Sequence, residues 1–131
     1  MNGSTENTKG LPYTELEAGG KIYLLRLTAR SAVRLEERLG MSVYSAAAKT
    51  DEMKIVSEML YALIEGLKPE FNRSDTYTVI DEYISGGGSL GSLVNEIAEA
   101  LRISGFFGKD PAAPKNSSAL LDGKLLSTAQ T

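Results

Sequence analysis

The 131 residues include no cysteine, no histidine and no tryptophan. Without them the chain cannot build thiolate or imidazole metal sites, a cysteine nucleophile, a Ser-His-Asp triad or any disulfide. Catalysis would be left to hydroxyls, carboxylates, Lys and Arg, so no enzyme, no cofactor and no resident metal are expected. Apolar runs such as Ile22 to Leu25 fall far short of the roughly 20 residues that cross a bilayer, so a soluble chain without membrane partners is expected. Met1 to Asn7 holds neither a basic nor an apolar stretch, so no secretory signal is expected. The 14 basic and 17 acidic residues sum to −3 without a long block of one sign, and the basic footprint of a nucleic-acid binder is missing.

What is present is 42% hydrophobic residues and 24% charged, patterned as one small globular domain. Residues 1–10 read as a disordered lead-in, 11–107 as the domain and 108–131, with Pro111 and Pro114 and few large apolar groups, as a flexible tail. The expected fold is mainly α: a compact bundle of about four to five helices with a short N-terminal β-hairpin. Tyr13 to Glu17 alternates in polarity, Ala18-Gly19-Gly20 is turn-like, and Lys21 to Leu27 suits a strand, which together predict the hairpin.

The helices follow from caps and apolar spacing. Thr28 can accept from the amide of Arg30 or Ser31 and begin a helix ending at Leu39, with Gly40 free to take the left-handed conformation. Ser42 can cap a short helix through Ala46-Ala47-Ala48. Thr50 or Asp51 is expected to cap the most apolar helix, where Met53, Val56, Met59, Leu60, Leu63, Ile64 and Leu67 keep the 3.6-residue period until Pro69. Ser74 is expected to cap a helix burying Tyr77, Ile80, Tyr83 and Ile84. Gly86-Gly87-Gly88 stops it, and Ser89 opens a helix carrying Leu90, Leu93, Val94, Ile97 and Leu101. Gly105 ends that helix, and Phe106-Phe107 is expected to fold back onto the core.

Three constellations invite function. Gly86 to Gly91 matches G-x-G-x-x-G, but the segment before it is helical rather than a strand, which favours a helix stop and hinge over a phosphate cradle. The adjacent acids Glu36-Glu37, Asp51-Glu52 and Asp81-Glu82 point about 100° apart on a helix, poor geometry for shared acid-base work or metal binding. Arg26, Arg30, Arg34 and Arg38 recur every four residues, the last three drawing a basic stripe suited to solvent or to the acidic patch of a partner. Tyr61, Tyr77, Tyr83, Phe106 and Phe107 read as core and core-edge residues rather than a stacking platform.

The run from Lys21 to Gly40, in which a short strand enters a Thr-capped helix and Leu35-Glu36 precedes Leu39-Gly40, resembles the opening of tail assembly chaperones of long-tailed bacteriophages and prophages of Gram-positive bacteria. The resemblance continues through the Met53 to Leu67 helix, Val79 to Tyr83, the glycine-rich break and Ile103 to Phe107, covering about residues 13–107. It implies a non-catalytic, mostly helical protein of the host bacterial cytoplasm. Such a protein holds the tape measure protein soluble during tail assembly and is absent from the mature virion. It also implies that tail tube protein is recruited through a longer product of a translational frameshift. Slippage would be sought near Gly108-Lys109, Lys115-Asn116 or Gly123-Lys124. Candidate partner-binding residues are Arg30, Arg34, Arg38, Met53, Met59, Tyr61 and Leu63, with the last four better suited to the core. A homo-oligomer is left open. The alternative is a small helical DNA-binding regulatory protein, against which stand a pI near 5.0 and the lack of a second basic recognition helix.

Overall fold

The computed structural model describes residues 11–106. Within them a two-stranded antiparallel hairpin, β1 (Thr14–Ala18) and β2 (Lys21–Leu25), precedes five helices: α1 (Ala29–Leu39), α2 (Val43–Ala47), α3 (Met53–Glu65), α4 (Asp75–Ser85) and α5 (Leu90–Ile103). The mainly helical fold with an N-terminal hairpin is as the sequence predicts. The expectations for residues 1–10, for Phe107 and for the tail over 108–131 lie outside the described residues.

Gly19 and Gly20 turn the hairpin at φ of 60° and 78°, the left-handed pair that a two-residue turn between twisted strands requires. The register pairs Thr14 with Leu25, Leu16 with Tyr23 and Ala18 with Lys21, and sets Glu15 beside Leu24 and Glu17 beside Ile22. Leu16, Ala18 and Leu25 are buried, whereas Glu15, Glu17, Ile22 and Leu24 are exposed, so one face of the hairpin lies on the core and the other meets water.

Thr28 and Ser31 cap α1 reciprocally. Ser31 N–H donates to Thr28 Oγ1 at 3.2 Å and Thr28 N–H to Ser31 Oγ at 2.9 Å, which satisfies two amides that the first turn leaves open. Ser42 Oγ accepts from Ser45 N–H at 3.0 Å to open α2. The Glu36 carboxylate accepts from Val43 N–H at 2.8 Å, a second cap on the same helix.

The start of α3 differs from expectation. A turn from Lys49 to Glu52 delivers the chain one residue later, so Glu52 occupies the cap position with no side-chain bond, and neither Thr50 nor Asp51 caps. Every residue from Ile55 to Glu65 is buried, so α3 is enclosed on all sides rather than along one stripe. It ends at Glu65, ahead of Pro69, with Gly66 at the C-cap.

The face of α4 is also corrected. Thr76, Val79 and Ile80 are buried, while Tyr77 (54%) and Ile84 (42%) are exposed. Ser74 stands at the cap position without a side-chain bond, because the carbonyls of Asn72, Arg73 and Ser74 already accept from the N–H groups of Asp75, Thr76 and Tyr77. The turn at Asn72 thus takes over the capping that Ser74 was expected to supply. At the glycine-rich break, Gly88 N–H donates to Tyr83 O, and Ser89 and Ser92 cap α5 reciprocally, each amide donating to the other's hydroxyl at 3.0 Å.

The chain divides into a unit ending at Ala100 and a second beginning at Leu101. The core of the first holds Leu16, Leu25, Leu27, Leu35, Met59, Leu60, Leu63, Ile64, Leu93 and Ile97, each almost fully enclosed. In the second, residues 101–106 are described; Leu101 and Ser104 are buried, but Phe106, expected to pack inward, is 47% exposed.

Candidate functional site

Two glutamates seven residues apart interrupt the apolar sequence of α3, and two arginines eight residues apart stand on α1. Helices packed antiparallel bring such spacings together, since seven and eight residues span about 10 and 12 Å at roughly 1.5 Å each. Arg38 Nε donates to Glu58 Oε1 at 2.7 Å. At the other end Arg30 Nη1 donates to Glu65 Oε1 at 2.7 Å and Arg30 Nη2 to the Glu65 carbonyl at 2.9 Å, placing a cation on the C-terminus of α3 where the helix dipole favours it. Arg73, from the segment between α3 and α4, closes on the second oxygen of Glu58. The Arg38 guanidinium also lies 4.8 Å from the Tyr61 ring centroid, within cation-π range.

Glu58 therefore carries a buried charge shared by two arginines. Burial pushes its carboxyl up, but the hydrogen bonds from Arg73 and Arg38 and their positive charges outweigh that and hold it below the ordinary glutamate range. The same pairing raises Arg73. Glu65 Oε2 and Arg38 Nη2 are buried without a hydrogen-bond partner among the described residues.

Of the sequence-predicted residues, Arg30 and Arg38 point at internal glutamates, so the basic stripe is not a free surface. Arg34 is exposed. Met59 and Leu63 are fully enclosed and Tyr61 nearly so, because α3 is covered on all sides. Those three therefore belong to the core and not to a surface groove. Tyr61 stacks on Phe71, which meets Tyr23 edge-on.

Met53 alone of the four apolar candidates reaches a surface hollow. A groove of about 390 Å³ lies between the first turns of α3 and the start of α4, lined by Met53, Lys54, Ser57, Arg73, Tyr77 and Asp81 among others, with Glu58 in its wall. Met53 (48%) and Tyr77 (54%) stand exposed at its mouth and Ile80 (7%) lies deeper. Such a mixture of apolar anchors and charged borders suits the apolar face of a partner helix. Glu58, Glu65 and Arg73 are not among the residues expected from the sequence. The matching spacings of seven and eight in α3 and α1 were the available signal for the first two; Arg73 left none.

Compared with protein-family models, with curated proteins and with solved structures, the chain has no match. Among the described residues no group of three or more acidic side chains gathers for a metal ion, and no helix is long and apolar enough to cross a membrane.

Proposed function

We propose that the chain is a tail assembly chaperone of a long-tailed bacteriophage or prophage, working in the host cytoplasm, and that its groove receives a helical segment of the tape measure protein. The reading rests on the resemblance over residues 13–107. The observation that supports it best is the groove itself, where Met53 and Tyr77 expose apolar surface beside Lys54 and Asp81. A long helical partner awaiting assembly has apolar faces to hide, and a shallow, charge-bordered groove can cover one face and release it later. The engagement of Arg30 and Arg38 by buried glutamates favours this protein-protein reading over the DNA-binding alternative, since Arg34 is left as the outward member of the stripe. Recruitment of tail tube protein by a frameshifted longer product, and absence from the finished virion, are parts of the same proposal.

Co-expression with the tape measure protein tests it. The partner is expected to become soluble and to co-purify with the chain, and Met53→Asp together with Tyr77→Ala to abolish capture without unfolding it. A partner equally insoluble with and without the chain, and never captured, rules the reading out.

A further inference from the structure

The groove between α3 and α4 offers more unengaged positive charge than negative. Its lining holds four charged residues, Lys54, Glu58, Arg73 and Asp81. Glu58 is committed to both Arg38 and Arg73, so two cations meet one carboxylate and the surplus falls on the exposed partner, Arg73. That guanidinium is only partly engaged. Nε donates to the two Glu58 oxygens at 3.1 and 3.0 Å and Nη2 closes on one of them, which leaves Nη1 without a partner among the described residues on a side chain 52% exposed. Lys54 and Asp81 take no ion-pair partner among the described residues, not even each other. Lys54 also stands in the first turn of α3, where Glu52 supplies no side-chain cap and the N–H groups of Met53, Lys54 and Ile55 meet no backbone acceptor among the described residues, so the positive end of the helix dipole adds to the same border. Asp51, Glu52 and Asp75 lie on adjoining turns but not in the lining.

We propose that the groove selects an acidic amphipathic helix, whose apolar side chain seats on Met53, Tyr77 and Ile80 while a carboxylate one turn away bonds Arg73 Nη1 with Lys54 beside it. The inference rests on the groove reading above and adds the charge of the occupant, with Arg73 as the residue that reads it. Anchoring by Glu58 holds the guanidinium in place before the partner arrives, so little side-chain freedom is lost on binding, and a bond between arginine and carboxylate is about twice as strong as a neutral one. A neutral helix would cover Nη1 without pairing it, and a basic helix would meet like charge; both omissions work against the wrong partner. A phosphate or nucleic-acid backbone would answer the charge but leave the exposed Met53 and Tyr77 in water. Charge and apolar surface together therefore point to a peptide helix. Asp81, the unpaired carboxylate of the lining, repels an acid at its own end of the α4 border and so confines the partner's acid to the end at Arg73.

Synthetic helical peptides supply the probe. Three fluorescein-labelled peptides share one stripe of leucines and differ only at a position four residues from the central leucine, on the same helix face, which is Glu, Gln or Lys. Anisotropy titrations with the full chain are expected to rank them in that order. The Glu peptide should bind about fivefold tighter than the Gln peptide, as for a half-exposed ion pair, with the difference shrinking as salt is raised. Arg73→Gln should bring the Glu and Gln peptides level, with the far-UV spectrum and the affinity for the Gln peptide unchanged, and Met53→Asp should weaken all three. Equal binding of the Glu and Gln peptides, or binding of none, overturns the inference, and these measurements on the parent chain decide it even if Arg73→Gln fails to fold. A preference that survives Arg73→Gln, or binding indifferent to Met53→Asp, places the contact elsewhere and overturns it too. Capture of the tape measure protein without any peptide preference removes the charge inference alone; a Glu peptide bound as expected, with the tape measure protein never captured, supports the inference and removes the chaperone reading alone.

Discussion

Arg38 Nε donates to Glu58 Oε1 at 2.7 Å, tying the last turn of α1 to the middle of α3 through a carboxylate whose side chain is 4% exposed. The second bond to that carboxylate comes from Arg73, itself 52% exposed. One buried charge thereby joins two helices and the segment that leads into α4, and it stands in the wall of the groove beside Met53 and Tyr77.

Removing that charge should be felt more than removing either cation. Glu58→Gln is expected to cost about 3 kcal/mol, the low end for breaking a buried pair, because Arg73 can turn to water while Arg38 cannot do so fully. Arg73→Ala should cost less than about 1 kcal/mol, since Arg38 still holds Glu58 and the lost cation was half exposed. Urea midpoints at unchanged slope measure both; equal losses would mean that Glu58 is not the shared centre.

The acid limb of stability should carry the same signature. Glu58 is held below its ordinary value near 4.5, so the folded state binds its proton less readily than the unfolded chain. Its contribution is complete above that ordinary value and is lost as the pH falls from there through the lowered native one. Denaturation midpoints measured from neutral pH to about 3 should fall less steeply for Glu58→Gln than for the parent chain. Parallel slopes would assign the acid loss to other carboxylates.

Arg30 and Arg34, four residues apart, should behave differently. Arg30→Ala strips the partner from Glu65, whose side chain is 1% exposed, and is expected to cost about 1.5–3 kcal/mol, as for bonds to a charged group. Arg34→Ala should stay within about 0.5 kcal/mol, as at an ordinary surface position. Thermal or chemical denaturation of the two variants decides whether the stripe is structural.

Leu63→Ala is expected to cost about 2–5 kcal/mol, because the side chain is fully enclosed and its loss leaves a cavity. Met53→Ala should change the midpoint little while weakening capture of the tape measure protein. A large loss from Met53→Ala would place that residue in the core and remove it from the groove.

The elements themselves were legible because their causes are local. Thr28 with Ser31, Ser42 with Ser45, the Gly19-Gly20 pair and Gly40 act within four residues of their partners, so caps and turns could be read directly. The cap expected at Ser74 failed where the preceding turn had already satisfied the first amides of the helix, and those expected at Thr50 and Asp51 failed where the turn from Lys49 moved the cap position to Glu52.

The amino-acid sequence alone determined the hairpin, the succession of helices and the empty inventory of thiol and imidazole chemistry, each a property of residue type or of near neighbours. Tertiary structure alone decided that α3 is covered on every side, that α4 buries Thr76 and Val79 in place of Tyr77 and Ile84, and that Arg30 and Arg38 meet Glu65 and Glu58. Those outcomes depend on the axial register of α1 against α3 and on the rotation of α4 about its axis. Many residues set these together through packing and the pairing of buried charge, and no window of the sequence contains both partners.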